Sequence, residues 1–491
     1  MPFRSASDQK SHAALAAMVA VGLCGLTACA PDLGAPSKVR PISDYAAEKV
    51  FAKAAVSDWP ADDWWTAFND PTLNSLIERA LKSSPDLRAV QARLTEAAAA
   101  REAARASLFP TLNAKGSIQE TGVTINFPGT PQSLKNFLPS DIQPFTQLSG
   151  NLSYQLDFFG RNHAAVAAAS SQAKAAQFEV EAARLQLSAA VATAYANLIM
   201  ADADQAAAED AAKLREGSRT LVGDRERNGL ETRAEFRESD AERESSEVDL
   251  VAAKGAALEA RYALAALVGE GPDTFLDLHP GHVVEGPIGL PPHLAADLIG
   301  RRPDVAAARL RVEAAAQNEK VARANFYPNI DLTASDLVVA TRPQDIFTHN
   351  LNLVQFGPAL SLPIFDGGKL AGALRNSRGE YEEAVANYDK AVVQALHEVS
   401  DAITIRRGAQ ESIDHAKQAL DASQDAYNLA VMRYKAGLST YLSVLTAENT
   451  LVATRRQYDD LQARAVGAEV ELIRALGGGF NETAPAKTQT P

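Results

Sequence analysis

Two cysteines, Cys24 and Cys29, are all the thiol chemistry in this 491-residue chain, and both lie near its start. They cannot supply a disulfide framework or a cysteine zinc site for the body of the protein. Long apolar runs are equally scarce. Beyond the N-terminal region no stretch is apolar enough, for long enough, to be a transmembrane helix. Positive charge is in deficit, with 48 Lys and Arg against 61 Asp and Glu and a net charge of −13. That argues against nucleic acid as the main partner, because phosphate binding needs clustered Lys and Arg. G-x-x-x-x-G-K-[ST], G-x-S-x-G and H-E-x-x-H are all missing. His279-Pro280-Gly281-His282 with His293 sits in a Gly/Pro loop with no acidic or cysteine ligand at metal spacing, so no metal site is assigned. Acidic side chains are plentiful, but nothing points to a pocket that pairs them. No catalytic residue and no cofactor is expected. At 46% hydrophobic and 22% charged, the composition is that of a folded protein.

The N-terminus reads as an export signal over residues 1–28. Arg4 and Lys10 form the positive region and Ala13–Gly25 the apolar core. Leu26-Thr27-Ala28-Cys29 resembles the bacterial lipobox, which implies cleavage between Ala28 and Cys29 and acylation of Cys29. Ala30, in place of Asp, resembles an outer-membrane sorting signal.

Arg161–Arg227 and Lys369–Lys435 each run 67 residues without a proline. Both are rich in the strong helix formers Ala, Glu, Gln, Arg and Leu. As one helix, either would span ~100 Å. Such length suits a coiled coil or helical array better than a globule. Phe178, Leu185, Ala192 and Ile199 are spaced by seven, as are Val180, Leu187 and Ala194, and Val385, Val392 and Val399. Two knobs-into-holes seams on one helix suit a palisade with neighbours on both sides.

The two stretches belong to an internal duplication. Ser84-Pro85-Asp86-Leu87 opens a short helix that ends at Phe109-Pro110; Arg302-Pro303-Asp304-Val305 opens its echo, ending at Tyr327-Pro328. Strand-like alternation follows each. Leu112, Ala114, Gly116 and Ile118 interleave with polar residues, as do Leu148, Gly150, Leu152, Tyr154, Leu156 and Phe158. Ile330, Leu332 and Ala334 begin the second set, and Leu360–Phe365 ends it, weakened by Pro358 and Pro363. The segments 120–146 and 336–350 read as loops. Four strands cannot close a barrel alone, yet apolar and polar faces in alternation are the pattern of a membrane barrel.

Each long stretch ends at a matching turn, Arg227-Asn228-Gly229-Leu230 and Lys435-Ala436-Gly437-Leu438. Gly229 and Gly437 suit left-handed helix ends, and Thr232 or Thr440 can cap the returning helices. Those returning helices are shorter than their partners, and the short helices would complete a wall of uniform height.

These features together resemble the outer membrane efflux proteins of the TolC-like family, in the NodT/OprM-like lipoprotein branch. The resemblance rests on the lipobox, Trp64-Trp65-x-x-Phe68-x-Asp70-Pro71-x-Leu73, Gly289-Leu290-Pro291-Pro292-His293-Leu294, Arg301-Arg302-Pro303-Asp304 and the duplicated order of elements. It implies a mainly α homotrimer with a small β part. Four strands per chain would close a shared twelve-stranded outer-membrane barrel, and the helices would form a periplasmic tunnel. It further implies a periplasmic adaptor and an inner-membrane pump of the RND type as partners, with export of drugs or toxic compounds. The expected organisation is a signal at 1–28, a lipidated segment and girdle at 29–80, repeats at 81–268 and 301–476, a linker at 269–300 and a disordered tail at 477–491. In the family the tunnel is gated just beyond the Gly-Leu turns. Some members carry aspartates where this chain has Ser443 and Thr446, whereas Glu235 keeps a first-half carboxylate, with Asp240 and Glu448 nearby. Glu235, Asp240, Ser443 and Thr446 are thus aperture candidates, and Gly229, Leu230, Gly437 and Leu438 candidate adaptor contacts. The rival readings are a lipid-anchored coiled-coil scaffold or adaptor without a pore, which would not need paired alternating strands, and an enzyme with an unrecognised site.

Overall fold

A computed structural model of the protein describes residues 30–41, 44–45, 58–121, 143–281, 298, 300–340, 342–348 and 350–482. Ala28 and Cys29, His282 and His293, and the motif Gly289–Leu294 lie outside them. Among the described residues, the elements run α1 Pro71–Ser83, α2 Pro85–Ala106, β1 Thr111–Thr121, β2 Gln143–Leu156, α3 Arg161–Arg227 and α4 Arg233–Val268. The order then repeats as α5 Pro303–Ala324, β3 Asn329–Ala340, β4 Leu351–Ser361, α6 Lys369–Lys435 and α7 Tyr441–Ala475. α3 and α6 are each continuous over 67 residues, as their proline-free composition predicts. No described helix is long and apolar enough to cross a membrane.

Two compact units emerge. The first comprises residues 1–38, 96–174 and 310–386; the second comprises 39–95, 175–309 and 387–491.

The first unit carries the sheet, in antiparallel order β1-β2-β3-β4. Its register puts Leu112 opposite Leu152, Gly116 opposite Leu148, Tyr154 opposite Leu332, Ile330 opposite Leu360 and Ala334 opposite Phe356. Side chains alternate across a strand, so these residues share one face. The other face holds Asn113, Lys115, Ser117, Ser149, Asn151, Ser153, Thr333, Ser335 and Gln355. Leu337 opposite Leu353 and Val339 opposite Leu351 are apolar exceptions at one end of this polar face. The strands outrun the expectation. β2 begins at Gln143 and β3 continues to Ala340, where a loop was expected, because Thr146 pairs with Ala340 and Gly150 with Asp336. β4 stops at Ser361, short of Pro363. Pro358 lies inside β4, opposite Leu332, and costs the ladder one amide donor without ending the strand. In the same unit residues 34–37 lie against α6, where Arg378 donates to the Gly34 carbonyl and Tyr381 to that of Ser37. Arg378 is also fixed by Glu319 at 2.9 Å.

The core of the second unit gathers Trp64, Trp65, Phe68, Leu76 and Ile77 against Val191, Tyr195 and Leu198 of α3, Leu264 and Val268 of α4, and Ile473 of α7. Asp70 explains the Asp-Pro motif. It caps α1, accepting from the Thr72 and Leu73 amides at 2.8 and 3.2 Å, with Pro71 at the first helical position. It also accepts from the Tyr195 hydroxyl at 2.7 Å, which itself accepts from the Gly281 amide at 2.8 Å. Arg302 is enclosed by Asp304, Glu398 and the Ala475 carbonyl, tying the start of α5 to α6 and α7. The seven-residue seams are buried in part: Val180, Ala192, Val385, Val392 and Val399 are enclosed, whereas Phe178, Leu185, Leu187, Ala194 and Ile199 are half-buried. The tail expected to be disordered from residue 477 is packed as far as 482. Gly477, Gly478 and Gly479 take positive φ and turn the chain back, Phe480 meets Phe178 edge to face, and Glu482 pairs with Arg309.

Candidate functional site

The two Gly-Leu turns end α3 and α6 in the same way. Leu230 donates to the Arg225 carbonyl and Gly229 to that of Glu226; Leu438 and Gly437 repeat this with Arg433 and Tyr434. Both glycines sit in the left-handed region, at φ 69° and 75°. This pair of bonds is the Schellman closure, which a β-carbon at the glycine would strain. It leaves Leu230 and Leu438 64% and 71% exposed. The turns are joined below the surface. Val222, Tyr434, Tyr441, Val444 and Leu445 form one apolar cluster, with Phe236 against it. Arg225 lies over the Tyr434 ring at 4.7 Å and reaches Glu231 at 3.4 Å, so one guanidinium links the first-repeat turn to the end of α6. Burial, then the nearby Glu231 carboxylate, pushes the Tyr434 hydroxyl well above the usual tyrosine range.

The aperture candidates separate into two groups. Glu235 accepts from the Thr232 amide at 2.9 Å while Thr232 Oγ1 accepts from the Glu235 amide at 3.4 Å, a complete capping box at the start of α4. The Thr232 bonds hold its carboxyl below the usual glutamate range. Asp240 is held by Arg219 at 2.7 Å and Arg237 at 3.2 Å, and Arg219 keeps it ionised below the usual aspartate range. Ser443 and Thr446 are exposed on α7. Thr440, expected as a possible cap, makes no capping bond to the helix; its hydroxyl lies 3.4 Å from that of Ser443. The third helical position here is Ser443, where α4 has a glutamate, and no reciprocal box can form.

Sequence reasoning missed the contacts that join the repeats. Arg215 of α3 meets Glu242 of α4 and Glu448 and Asn449 of α7. Among the described residues no group of three or more His, Cys, Asp or Glu is placed to hold a metal ion.

The profile of the family described as outer membrane efflux protein matches residues 76–270 and 294–478, two segments that cover most of the chain. The chain belongs to the outer membrane efflux protein family. The pyoverdine export outer membrane protein OpmQ of Pseudomonas aeruginosa is 32% identical over 492 aligned residues, covering 96% of this chain and 98% of OpmQ. The probable outer membrane lipoprotein SilC of Salmonella typhimurium is 27% identical over 94% of this chain and 97% of its own. The crystal structure of the outer membrane protein VceC from Vibrio cholerae superposes with a TM-score of 0.79 at 37% identity, covering 86% of this chain and all of VceC. The mainly α fold with a small antiparallel sheet is therefore that of a helical tunnel joined to an outer-membrane β-barrel. The protein is an outer-membrane efflux component that extends into the periplasm, in a family of channels.

Proposed function

We propose that the chain is the passive outer-membrane conduit of a tripartite efflux system. Three copies surround one water-filled path, with four strands from each closing a twelve-stranded barrel. One observation carries this reading: the four-stranded sheet has an apolar face open to its surroundings, and its two edges are unpaired among the described residues. Leu112 and Ile118 are 76% and 64% exposed, and Phe356 and Leu360 86% and 69%. In water such a sheet is an aggregation site; closed edge to edge in lipid, with its polar face lining a lumen, it is a barrel wall. Acylation of Cys29 would anchor each chain, a role supported by the likeness to a probable outer membrane lipoprotein.

The Gly229-Leu230 and Gly437-Leu438 turns are the proposed adaptor contacts, because they present bare leucines on rigid closures. The aperture is proposed to lie just beyond them, near Glu235, Asp240, Ser443 and Thr446. An inner-membrane pump of the RND type would supply energy and choose the cargo. Small drug-like or toxic molecules are the proposed cargo; the likeness to an outer membrane protein of pyoverdine export supports small-molecule export. A scaffold without a pore would gain nothing from the amphipathic sheet. The test is fractionation together with gene deletion. The reading expects a heat-modifiable trimer in outer-membrane fractions and increased drug sensitivity without the gene. A monomer in the inner membrane would reject it.

A further inference from the structure

One acidic side chain of the turn region is enclosed. Glu448 is 1% exposed, although Ser443 and Thr446 on the same helix face solvent. Four helices surround it. From α3, Arg215 brings Nε to 3.4 Å and Ser218 donates to Oε2 at 3.3 Å. From α4, Glu242 shares the same guanidinium, and Glu238 acts on the neighbouring Tyr441. α6 contributes Tyr427, and α7 itself Tyr441 and Asn449.

Arg215 is divided among these groups. Nη1 engages Glu242, Nη2 donates to Asn449 Oδ1 at 2.6 Å, and Nε is left for Glu448. One cation thus serves two carboxylates, and Glu448 has the longer contact. Its Oε1 is buried and accepts no hydrogen bond among the described residues. A carboxylate so placed is undercompensated, and a carboxylic acid fits at lower cost. Tyr427 and Tyr441 cannot take up the charge, since burial and then Glu448 push their hydroxyls up to about 12.

We propose that Glu448 is a proton-binding site that stabilises the closed packing of the turn region. A proton passes from water to the Glu448 carboxylate when α3, α4, α6 and α7 enclose it, and any opening that exposes Glu448 returns that proton to water. The proposal rests on the conduit reading. The sign follows from linkage. Burial raises the enclosed carboxyl above the usual glutamate range, Arg215 and Ser218 pull it back, and Glu242 raises it again. The enclosed state therefore binds the proton more tightly than the open one. Acid favours closure; raising the pH through the enclosed group's range favours opening. Each unit between the two values changes the closed-to-open ratio by up to about tenfold.

The experiment records open probability against pH in planar bilayers for the full-length wild type and Glu448→Gln, which is isosteric with the protonated acid. Wild type should close as the pH falls, while Glu448→Gln should keep the wild type's low-pH open probability throughout. An unchanged pH profile in the variant would overturn the proposal. Infrared titration of the same proteins gives a second readout. A protonated-carboxyl band that titrates above the ordinary glutamate range in wild type and vanishes in Glu448→Gln supports the site. Its absence from wild type overturns it, even if the variant fails to assemble. If neither protein passes current at any pH, the conduit reading fails instead, and the infrared titration decides the proton site alone.

Discussion

Glu235 offers a discriminating perturbation, because its carboxylate has two conceivable jobs. As a fixed charge at an aperture it would attract cations. As the third residue of a capping box it fixes the start of α4 through Thr232. Glutamine keeps the box but removes the charge; alanine removes both. Losing a cap costs about 1 kcal/mol, which corresponds to roughly a fivefold increase in local opening. The geometry favours the cap: Oε2 lies 2.9 Å from the Thr232 amide. Amide hydrogen exchange over residues 233–236 should therefore accelerate about fivefold in Glu235→Ala and stay near wild type in Glu235→Gln. Cation selectivity in bilayers should likewise be preserved in Glu235→Gln. The pH dependence has a definite sign. The Thr232 bonds lower the folded-state value, so the cap is present at neutral pH and is lost only as the pH falls through that lowered value. Glu235→Gln should show no such acid transition. If glutamine and alanine alter selectivity equally, while exchange is unchanged in both, the capping argument is wrong.

Other perturbations test the core of the second unit and the turns. Asp70→Asn and Tyr195→Phe each break the buried Asp70–Tyr195–Gly281 chain. Each should lower stability by about 2 kcal/mol, and the double variant by less than the sum, because the two share one hydrogen bond. The fluorescence of Trp64 and Trp65, which pack in the same core, reports the denaturation midpoint. Gly437→Ala places a β-carbon at φ 75° and should destabilise the turn by about 1 kcal/mol. It should weaken adaptor binding in a pull-down without dissociating the trimer; undiminished binding would remove the turn from the contact.

The long helices were legible because nothing interrupts them: α3 and α6 run between a glycine at each end, with no proline inside. The strands were legible in their alternation but not in their length. β2 and β3 owe their extra residues to one another, through pairs such as Gln147 with Val339 that no local window contains. β4 continues through Pro358 as far as Ser361, so a single missing amide donor does not end the strand there. Glu235, proposed near the aperture, also completes a capping box whose spacing, Thr232-x-x-Glu235, was already present in the sequence. The Arg215–Glu448 contact had no comparable signal. It joins residues from opposite repeats, whose meeting depends on how α3 packs on α7.

A shared barrel requires that open sheet edges from separate copies pair with one another. Within a chain, β1 and β4 are separated by two strands, which puts them about 14 Å apart. That exceeds the reach of a disulfide, so any bridge between these edges must join two chains. A cysteine at Asn113 of β1, combined in turn with one at Leu353, Gln355 or Gly357 of β4, should yield covalent dimers and trimers on oxidation in intact outer membranes. Monomer alone at every combination, in protein that is folded and in that membrane, would contradict the shared barrel.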